Sequence, residues 1–232
     1  MYQKSVELYG DGIGKVEYVT HMGDDRTVVN SARVSFGQEV EEMSTKDEKL
    51  INYLIKHRHT STLEHCSVTF RVKVPLFIRS QHHRHRTWSY NEISRRYTNF
   101  NLEFYSPKEF RQQSKSNRQA SVDKLFNPFL LNSYASKLLE EHHEASLYLY
   151  DRFLRAGVCR EQARGILPQN LYTEYYATAN LNNILKFVSL RIHEGAQWEI
   201  QQLAKGMLEI MEELYPITVK SWKNNHQQEE PK

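Results

Sequence analysis

Residues 68–74 read Val-Thr-Phe-Arg-Val-Lys-Val, in which apolar and polar side chains alternate without a break. Successive side chains of a β-strand point to opposite faces, so strict alternation is typical of a strand with one buried face. The segment therefore predicts a half-buried strand. We expect Pro75, which follows it, to lie in the first turn of a helix, where a proline is well tolerated.

Further strands are predicted on both sides of this segment. Residues 5–9 and 15–20 have strand-like sequences and flank Gly-Asp-Gly-Ile-Gly at 10–14, a pattern typical of a hairpin. Residues 172–178 form another candidate strand. Together these segments predict an antiparallel sheet at the core of the fold.

Helical patterns alternate with these strands. Asp24 and Asp25 can cap a short helix, and Thr45 with Glu48 forms a capping-box pattern before a helix that ends near His57. The second half of the chain contains further helical segments, at 128–156, 160–167, 180–191 and 197–215. We therefore predict an α+β fold, with an antiparallel sheet core flanked by helices and a helix-rich C-terminal half.

The chain shows neither an internal repeat nor a clear linker, so a single domain over residues 1–232 is predicted. The segment 107–123 is rich in Ser, Gln, Asn, Lys and Arg and predicts an exposed excursion from that domain. Residues 224–232 predict a frayed tail.

The composition limits the class of protein. With 39% hydrophobic and 12% aromatic residues, the 232-residue chain can bury a core and is not disordered. No apolar run approaches the roughly 20 residues of a membrane span, and the first residues lack the apolar stretch of a signal peptide. The only cysteines, Cys66 and Cys159, cannot form a disulfide framework. We therefore expect a cytoplasmic protein that has no membrane partner.

Positive charge is concentrated between residues 71 and 97. This window contains seven Lys or Arg residues, three histidines and one acidic residue, whereas the whole chain has 31 basic and 28 acidic residues. Guanidinium groups match the geometry of phosphate, so the window predicts an anion site. The alternatives are a solvated basic face and a nucleic-acid-binding surface.

The order of residues within 84–97, Arg-His-Arg-Thr-Trp-Ser-Tyr-Asn-Glu-Ile-Ser-Arg-Arg-Tyr, narrows this choice. Three cationic or titratable residues in a row cannot all face one way on a helix or strand, so at least one faces a pocket or a partner subunit. Hydroxyl and amide groups and the single acid, Glu92, accompany them. This inventory favours a phosphorylated, hydrogen-bonding heterocycle over a nucleic-acid backbone.

The same segment matches the pattern R-H-R-x-x-S-x-N-x-x-S-x-R-Y at all eight fixed positions and resembles the flavin-dependent thymidylate synthases. Ala-Arg-Val-Ser-Phe at 32–36 is similar to the A-R-V-S-F of that family, and residues 59–65 are similar to its H-x-T-P-F-E-H. The second half of the chain resembles the family in order and spacing at Leu167-Pro168, Asn170-Leu171-Tyr172, Asn180, Leu190-Arg191 and 196–201.

The resemblance implies a reaction, a cofactor and an assembly. Members of this family convert dUMP to dTMP, taking the one-carbon unit from methylenetetrahydrofolate and the hydride from FAD that NADPH has reduced. They are homotetramers whose active sites are shared between subunits. The absence of a Gly-rich dinucleotide fingerprint does not argue against FAD, because this family does not use one.

The resemblance also implies roles for individual residues of this sequence. His59 is expected on the side of the site where flavin and folate meet. The residues expected to bind FAD are Ser61, Arg84, His85, Arg86, Glu92, Asn180, Leu181, Asn182 and Lys186. The residues expected to bind dUMP are Gln81, Arg84, Glu92, Ser94, Arg95, Arg96, Arg164 and Arg191.

Arg191 is the residue we expect to activate the substrate. A guanidinium at the N3 and carbonyl edge of uracil would stabilise a ring anion and polarise the ring for attack at C5 or hydride arrival at C6. Arginine does not deprotonate in proteins, so the expected role is electrostatic rather than general acid–base catalysis.

Other chemistries remain as alternatives. A thiol mechanism could use Cys159 near a helix start, and Ser94 could act as a nucleophile, although no Ser-His-Asp order accompanies it. The cluster of histidines at 57–65 could support a metal-dependent nucleotide hydrolase. Its spacing matches neither H-E-x-x-H nor a zinc finger, so we expect no metal site.

Overall fold

Two β-sheets are present in the part of the chain that the computed structural model describes, residues 4–117, 121–122 and 130–226. The larger sheet has five strands in the spatial order β1-β2-β3-β7-β4, and all neighbours are antiparallel. Strands β5 and β6 form a separate two-stranded ribbon. The strands are β1 (Ser5–Glu7), β2 (Lys15–Met22), β3 (Ser67–Pro75), β4 (Ser89–Glu92), β5 (Gln112–Gln113), β6 (Ser121–Val122) and β7 (Tyr172–Asn180).

The alternating segment forms the middle of the large sheet, as predicted. Val68, Phe70, Val72 and Val74 have no exposed surface and lie in the main core, whereas Arg71 on the opposite face is exposed. Pairing with β7 on one side and β2 on the other removes both edges of β3 from solvent. The prediction of an antiparallel sheet core is confirmed.

The N-terminal hairpin is also confirmed, and its turn explains the glycines. Gly10 and Gly12 have φ angles of 67° and 72°, a left-handed conformation that glycine adopts without steric cost. Between them, the Asp11 carboxylate accepts hydrogen bonds from the backbone N–H groups of Ile13 (2.9 Å) and Gly14 (3.0 Å). The sequence 10–14 thus closes the turn by backbone freedom and by one side chain.

Helices dominate the second half of the chain. In the main core, Ile184 and Phe187 of the sixth helix and Ile200 and Leu203 of the seventh are fully buried in the same cluster as the valines of β3. The α+β fold with a helix-rich C-terminal half is therefore confirmed. The helices are α1 (Asp25–Arg33), α2 (Thr45–Lys56), α3 (Leu76–His82), α4 (Leu130–Arg155), α5 (Arg160–Ala163), α6 (Leu181–Arg191), α7 (Trp198–Leu214) and α8 (Pro216–His226).

Two helix starts differ from the predictions by a single residue. The capping box of α2 is formed by Ser44 and Asp47 rather than by Thr45 and Glu48. Asp47 also pairs with Arg33 of α1, and this tertiary contact fixes which acid lies in the box. Pro75 ends β3 and caps α3 instead of lying within its first turn.

The C-terminal helix α8 was not predicted. Of the predicted frayed tail 224–232, residues 224–226 belong to α8, and residues 227–232 lie outside the described part of the chain. The start of α8 is held by the buried Asp25, whose carboxylate accepts from the backbone N–H groups of Ile217 (2.8 Å) and Thr218 (2.9 Å). This cap comes from a residue about 190 positions away and leaves no local signal in the sequence.

The predicted excursion and the long helix after it are described in part. Residues 107–117 and 121–122 run along the surface, and β5 pairs with β6 there. Residues 118–120 and 123 of the excursion, and 128–129 of the predicted helix, lie outside the described part. The helix itself, α4, is followed by Gly157 with a φ of 86°, as its predicted C-terminal stop requires.

A smaller apolar cluster joins α4 to the segment 163–171, through Tyr150, Ala163, Leu167 and Leu171. The single-domain assignment stays a prediction. Within the described residues, no helix combines the length and the apolar character needed to cross a membrane.

The Asp25 cap gives a test of how the C-terminal helix is anchored. Asp25→Ala leaves two helix N–H groups unpaired in a buried position, and we expect a loss of about 2 kcal/mol in the free energy of unfolding. For a chain of this size that corresponds to a Tm lower by about 4–8 °C. Calorimetry checks this, with Glu212→Ala as the control, because the ion pair of Glu212 with Lys223 is exposed. Equal Tm changes in the two variants would contradict the anchoring role.

Candidate active site

The motif at 84–97 leaves the end of α3, turns, and becomes the edge strand β4. Trp88 anchors the turn, since it is buried and its ring lies 4.7 Å from that of the fully buried His82. Arg84 and Arg86 are exposed, whereas His85 between them is half-buried. The expectation that three consecutive basic or titratable residues face in different directions is met here.

Glu92, the single acid of the motif, is fixed from two sides. The Nε of Arg79 donates to Glu92 Oε2 at 2.8 Å, and the hydroxyl of Thr173 in β7 donates to Glu92 Oε1 at 2.7 Å. Neither Arg79 nor Thr173 was predicted as a site residue. The signal available for Arg79 was its place in the basic window around a lone acid, although the sequence did not indicate which arginine would pair with Glu92.

An open cleft of about 430 Å³ lies beside Glu92. It brings together four of the residues predicted to bind dUMP: Glu92, Ser94, Arg95 and Arg164. Leu76, Ile93, Leu167 and Leu171 form an apolar part of its wall. In the described part of the chain no acid or carbonyl pairs with the exposed Arg164 guanidinium. The cleft therefore combines a free cation with an apolar surface, as an anionic ring compound requires.

Arg95 of this cleft and its neighbour Arg96, both predicted to bind dUMP, have partners within the protein. Arg95 Nη1 donates to the carbonyl of Phe100 at 2.6 Å, and Nη2 donates to that of Asn101 at 3.2 Å. Arg96 lies 3.4 Å from a carboxylate oxygen of Glu161. Arg95 thus builds the cleft wall, and the substrate-binding roles of both arginines stay predictions.

A second group of predicted residues lies at the C-terminal ends of α3 and α6. The Nε of Arg191 donates to Nε2 of His85 at 3.2 Å. Burial, and then the charge of Arg191, lower the pKa of His85 to about 4. His85 is therefore a neutral acceptor at neutral pH and orients the guanidinium. Burial and the charge of Arg84 lower the pKa of Arg191, but an arginine still keeps its charge.

Gln81 in the same group is connected to a buried acid. Its Nε2 donates to Oε1 of Gln197 at 2.5 Å, and Gln197 Nε2 donates to Glu199, which is 3% exposed. The sequence showed Gln197 and Glu199 only as part of the segment 196–201 and assigned them no role. The reason is that their contacts to α3 and to the excursion are set by the tertiary fold.

The residues predicted to bind FAD fall into two classes. Those at the start of α6 make contacts inside the protein. The Asn180 side chain caps the helix by accepting from the backbone N–H of Asn183, and Leu181 is fully buried. The Asn182 side-chain amide donates to the carboxylate of Glu64 at 2.9 Å. Of the others, His85 and Glu92 are half-buried, whereas the cationic groups Arg84, Arg86 and Lys186 and the hydroxyl of Ser61 are exposed.

Lys186 lines a second cavity of about 270 Å³ with Thr60, Asn182 and Ser189. His59 is exposed close to this region of the chain, and its ring lies 5.9 Å from that of Tyr53. Arg58 also lines it, so the cavity gives an anionic cofactor two cationic side chains and several hydroxyl or amide groups.

The structure bears on the alternative chemistries. Cys66 has no exposed surface, and burial raises the pKa of its thiol to about 12, so it is not a thiolate at neutral pH. Cys159 is exposed at the start of the four-residue α5. Among the described residues, no group of three His, Cys, Asp or Glu side chains could hold a metal ion.

Comparison with known proteins gives a consistent result. The family model described as thymidylate synthase complementing protein matches residues 17–217. Flavin-dependent thymidylate synthases from Thermus thermophilus and Kosmotoga olearia are 45% and 41% identical to this chain, over 88% and 91% of it and 73% and 90% of their own lengths. The crystal structure of a UMP/dUMP methylase, PolB from Streptomyces cacaoi, bound with 5-bromo-dUMP superposes with a TM-score of 0.83 at 32% identity, covering 94% of this chain and 97% of PolB.

The contact between Arg191 and His85 gives a prediction that does not depend on activity. Arg191→Ala should raise the pKa of His85 above about 4 but leave it below 6.5, because the charge is removed while the burial remains. Arg191→Lys keeps a cation there and should leave the pKa low. An NMR titration of labelled imidazole rings measures this, with His85→Asn to assign the resonance. An unchanged pKa in Arg191→Ala would show that the guanidinium charge does not act on His85.

Proposed function

This chain belongs to the flavin-dependent thymidylate synthase family, and we propose that its cleft beside Glu92 and the Arg191 group together form the active site. As a member of that family it is a flavin-dependent methyltransferase of dTMP biosynthesis. The proposed reaction is the reductive methylation of dUMP, with methylenetetrahydrofolate as the one-carbon donor and with FAD reduced by NADPH. The observation that carries the residue assignment is that Glu92, Ser94 and Arg164 line one cleft.

The cleft suits a nucleoside monophosphate. The Arg164 guanidinium, which pairs with no acid or carbonyl among the described residues, offers a bidentate partner for a phosphate, and Ser94 adds a hydroxyl donor. Arg79 and Thr173 hold Glu92 in one orientation, so its carboxylate can accept from ligand N–H or O–H groups without first paying the entropy of being ordered. The relative PolB, with a similar fold, was crystallised with 5-bromo-dUMP and with 5-bromo-UMP, which supports a pyrimidine monophosphate as the ligand.

Arg191 is proposed to activate the pyrimidine ring. Because Nε of Arg191 is engaged by the neutral His85, the direction of the guanidinium is set before substrate binds. The two Nη groups then remain for the N3 and carbonyl edge of uracil, where they stabilise negative charge that develops on the ring. Pre-organisation of this kind lowers the barrier because no dipole must reorient during the reaction.

The cofactor side of the site fits an anionic dinucleotide. The exposed cations Arg84, Arg86 and Lys186 and the hydroxyl of Ser61 are the groups that would hold FAD, with His59 nearby. When bound, FAD supplies the hydride that the methyl group requires. Asn180, Leu181 and Asn182 would contribute by fixing the start of α6, since their side chains are engaged or buried.

The division of the predicted residues suggests a shared site. The residues expected to bind one small nucleotide are split between the cleft and the Arg191 group. In addition, α4 exposes a set of large apolar residues to solvent: Tyr134, Leu138, Tyr148 and Leu149. We propose a homotetramer in which one subunit supplies the cleft and another supplies Arg191.

We also propose the cytoplasm as the compartment of the protein, because the exposed thiol of Cys159 persists in a reducing environment.

The first test is a flavin experiment. Purified protein is incubated with FAD, desalted, reduced anaerobically with NADPH, and then mixed with dUMP and methylenetetrahydrofolate. We expect bound flavin that reoxidises only with both substrates, together with dTMP formation. UMP is measured in parallel: methylation of UMP in place of dUMP would assign the specificity to the ribonucleotide. Protein that retains no flavin and instead binds nucleic acid with steep salt dependence would overturn the proposal.

The role of Arg191 is tested in the same assay. Arg191→Ala should retain flavin but form dTMP at least about 100-fold more slowly, because the charge on the ring is no longer stabilised. Lys205→Ala, an exposed change on α7, serves as the control and should have wild-type activity. Near-normal turnover in Arg191→Ala would refute the activating role.

The shared site is tested by mixing two inactive variants. Arg164→Ala damages the cleft and Arg191→Ala damages the second group, so each homo-oligomer should be inactive. Subunits exchanged by mild denaturation and refolding should recover roughly one quarter of the wild-type rate, the fraction of sites with two intact halves after random assortment. Sites contained within one subunit would recover no activity, although the hybrids form.

A further inference from the structure

A buried carboxylate lies behind the substrate-binding residues, in the first turn of α7. Glu199 accepts hydrogen bonds at Oε1 from Arg111 Nη2 (2.6 Å) and from the Tyr105 hydroxyl (3.0 Å). Its Oε2 accepts from Gln197 Nε2 at 2.9 Å. The contact with Arg111 is an ion pair, and the helix N-terminus favours negative charge at this position. All of these contacts are to hydrogen-bond donors.

The charge of Glu199 determines the direction of two neighbouring amides. A carboxylate can only accept, so Gln197 must turn its NH₂ group towards Glu199 and its carbonyl oxygen towards Gln81. Gln81 must then donate its own NH₂ group to Gln197. Its carbonyl oxygen, Oε1, consequently points away from this chain of bonds. Within the described part of the protein, no donor reaches that oxygen.

We propose that Gln197 and Glu199 are positioning residues that make Gln81 present an acceptor to the nucleotide. This inference rests on the proposed function, which places Gln81 beside dUMP. An amide alone can offer either an acceptor or a donor by a rotation of its terminal group. The relay removes that freedom, so the group recognised by Gln81 must be a hydrogen-bond donor of the substrate. A neutral uracil has one such group at N3–H, and the deoxyribose has another at its 3′-hydroxyl.

The test compares Gln197→Met with Tyr105→Phe. The first variant breaks the relay and lets the Gln81 amide rotate, while the second removes a donor from the other oxygen of Glu199 and leaves the relay in place. We expect Gln197→Met to weaken dUMP binding roughly three- to tenfold, the effect of one hydrogen bond, and to raise KM with little change in kcat. Tyr105→Phe should bind dUMP within twofold of wild type.

Two analogues identify the donor on the ligand. N3-methyl-dUMP lacks the N3–H group, and 2′,3′-dideoxyuridine 5′-monophosphate lacks the 3′-hydroxyl. Wild-type protein should bind the analogue that lacks the group recognised by Gln81 more weakly than it binds dUMP. For that same analogue, the Gln197→Met substitution should cause little further loss of affinity. This non-additivity is the coupling that a double-mutant cycle measures. If the role of Gln197 were merely structural, the Gln197→Met substitution would weaken the binding of dUMP and of both analogues by the same factor.

The outcomes separate the inference from the proposed function. Wild-type protein that forms dTMP, combined with no coupling between Gln197→Met and either analogue, overturns the inference alone. Wild-type protein that binds neither dUMP nor either analogue overturns both. If Gln197→Met does not fold, as judged by circular dichroism and flavin retention, Glu199→Gln replaces it in the same cycle. That variant keeps the shape of the side chain and removes the charge that sets the amide direction.

Discussion

The antiparallel pairing of β3 with β7 determines where the site can form. The ladder joins nine residue pairs, and its direction places the start of α3 at the Pro75 end and the start of α6 at the Asn180 end. The C-terminal ends of the two helices meet, where the ring of Phe187 lies 4.6 Å from that of His82 and 4.9 Å from that of His85. The hydrogen bond between the ends of α6 and α3 follows from that register. A shift of one residue in the ladder would reverse the face of every side chain on the shifted strand.

The second constraint on the site is how many of its positive charges are free to bind a ligand. That number is smaller than the count of basic residues in the sequence indicates. Of the seven basic residues between 71 and 97, five have partners within the protein: Arg71, Lys73, Arg79, Arg95 and Arg96. Three of these partners are acids from outside the window, Glu103, Glu161 and Glu174. In the described part of the chain, the guanidinium groups of Arg84 and Arg86 have neither an ion-pair nor a hydrogen-bond partner. A few free guanidinium groups suit a compact anion better than the extended basic face that a nucleic acid requires.

Local patterns predicted much of the fold, because they reflect the burial of one face. The alternation in β3, the glycine turn at 10–14 and the cap at Asn180 all act over a few residues, and the structure contains each of them. The start of α8 depends instead on Asp25, and the capping box of α2 depends on a contact to α1. Such long-range contacts decide between neighbouring sequence positions that local propensity treats as equal.

In the candidate site, too, the sequence predicted the local features but not the contacts that the tertiary fold sets. The motif located the edge strand and its exposed arginines, but it could not identify Arg79 as the partner of Glu92 or Thr173 as the second support. The direction of an amide is further removed from sequence, because glutamine carries a donor and an acceptor that differ only by a rotation. For Gln81 that rotation is decided by a carboxylate in α7, which is itself held by Arg111, 88 positions earlier in the chain. Specificity at one atom of the site therefore depends on the packing of three separate segments, and only the folded structure brings them together.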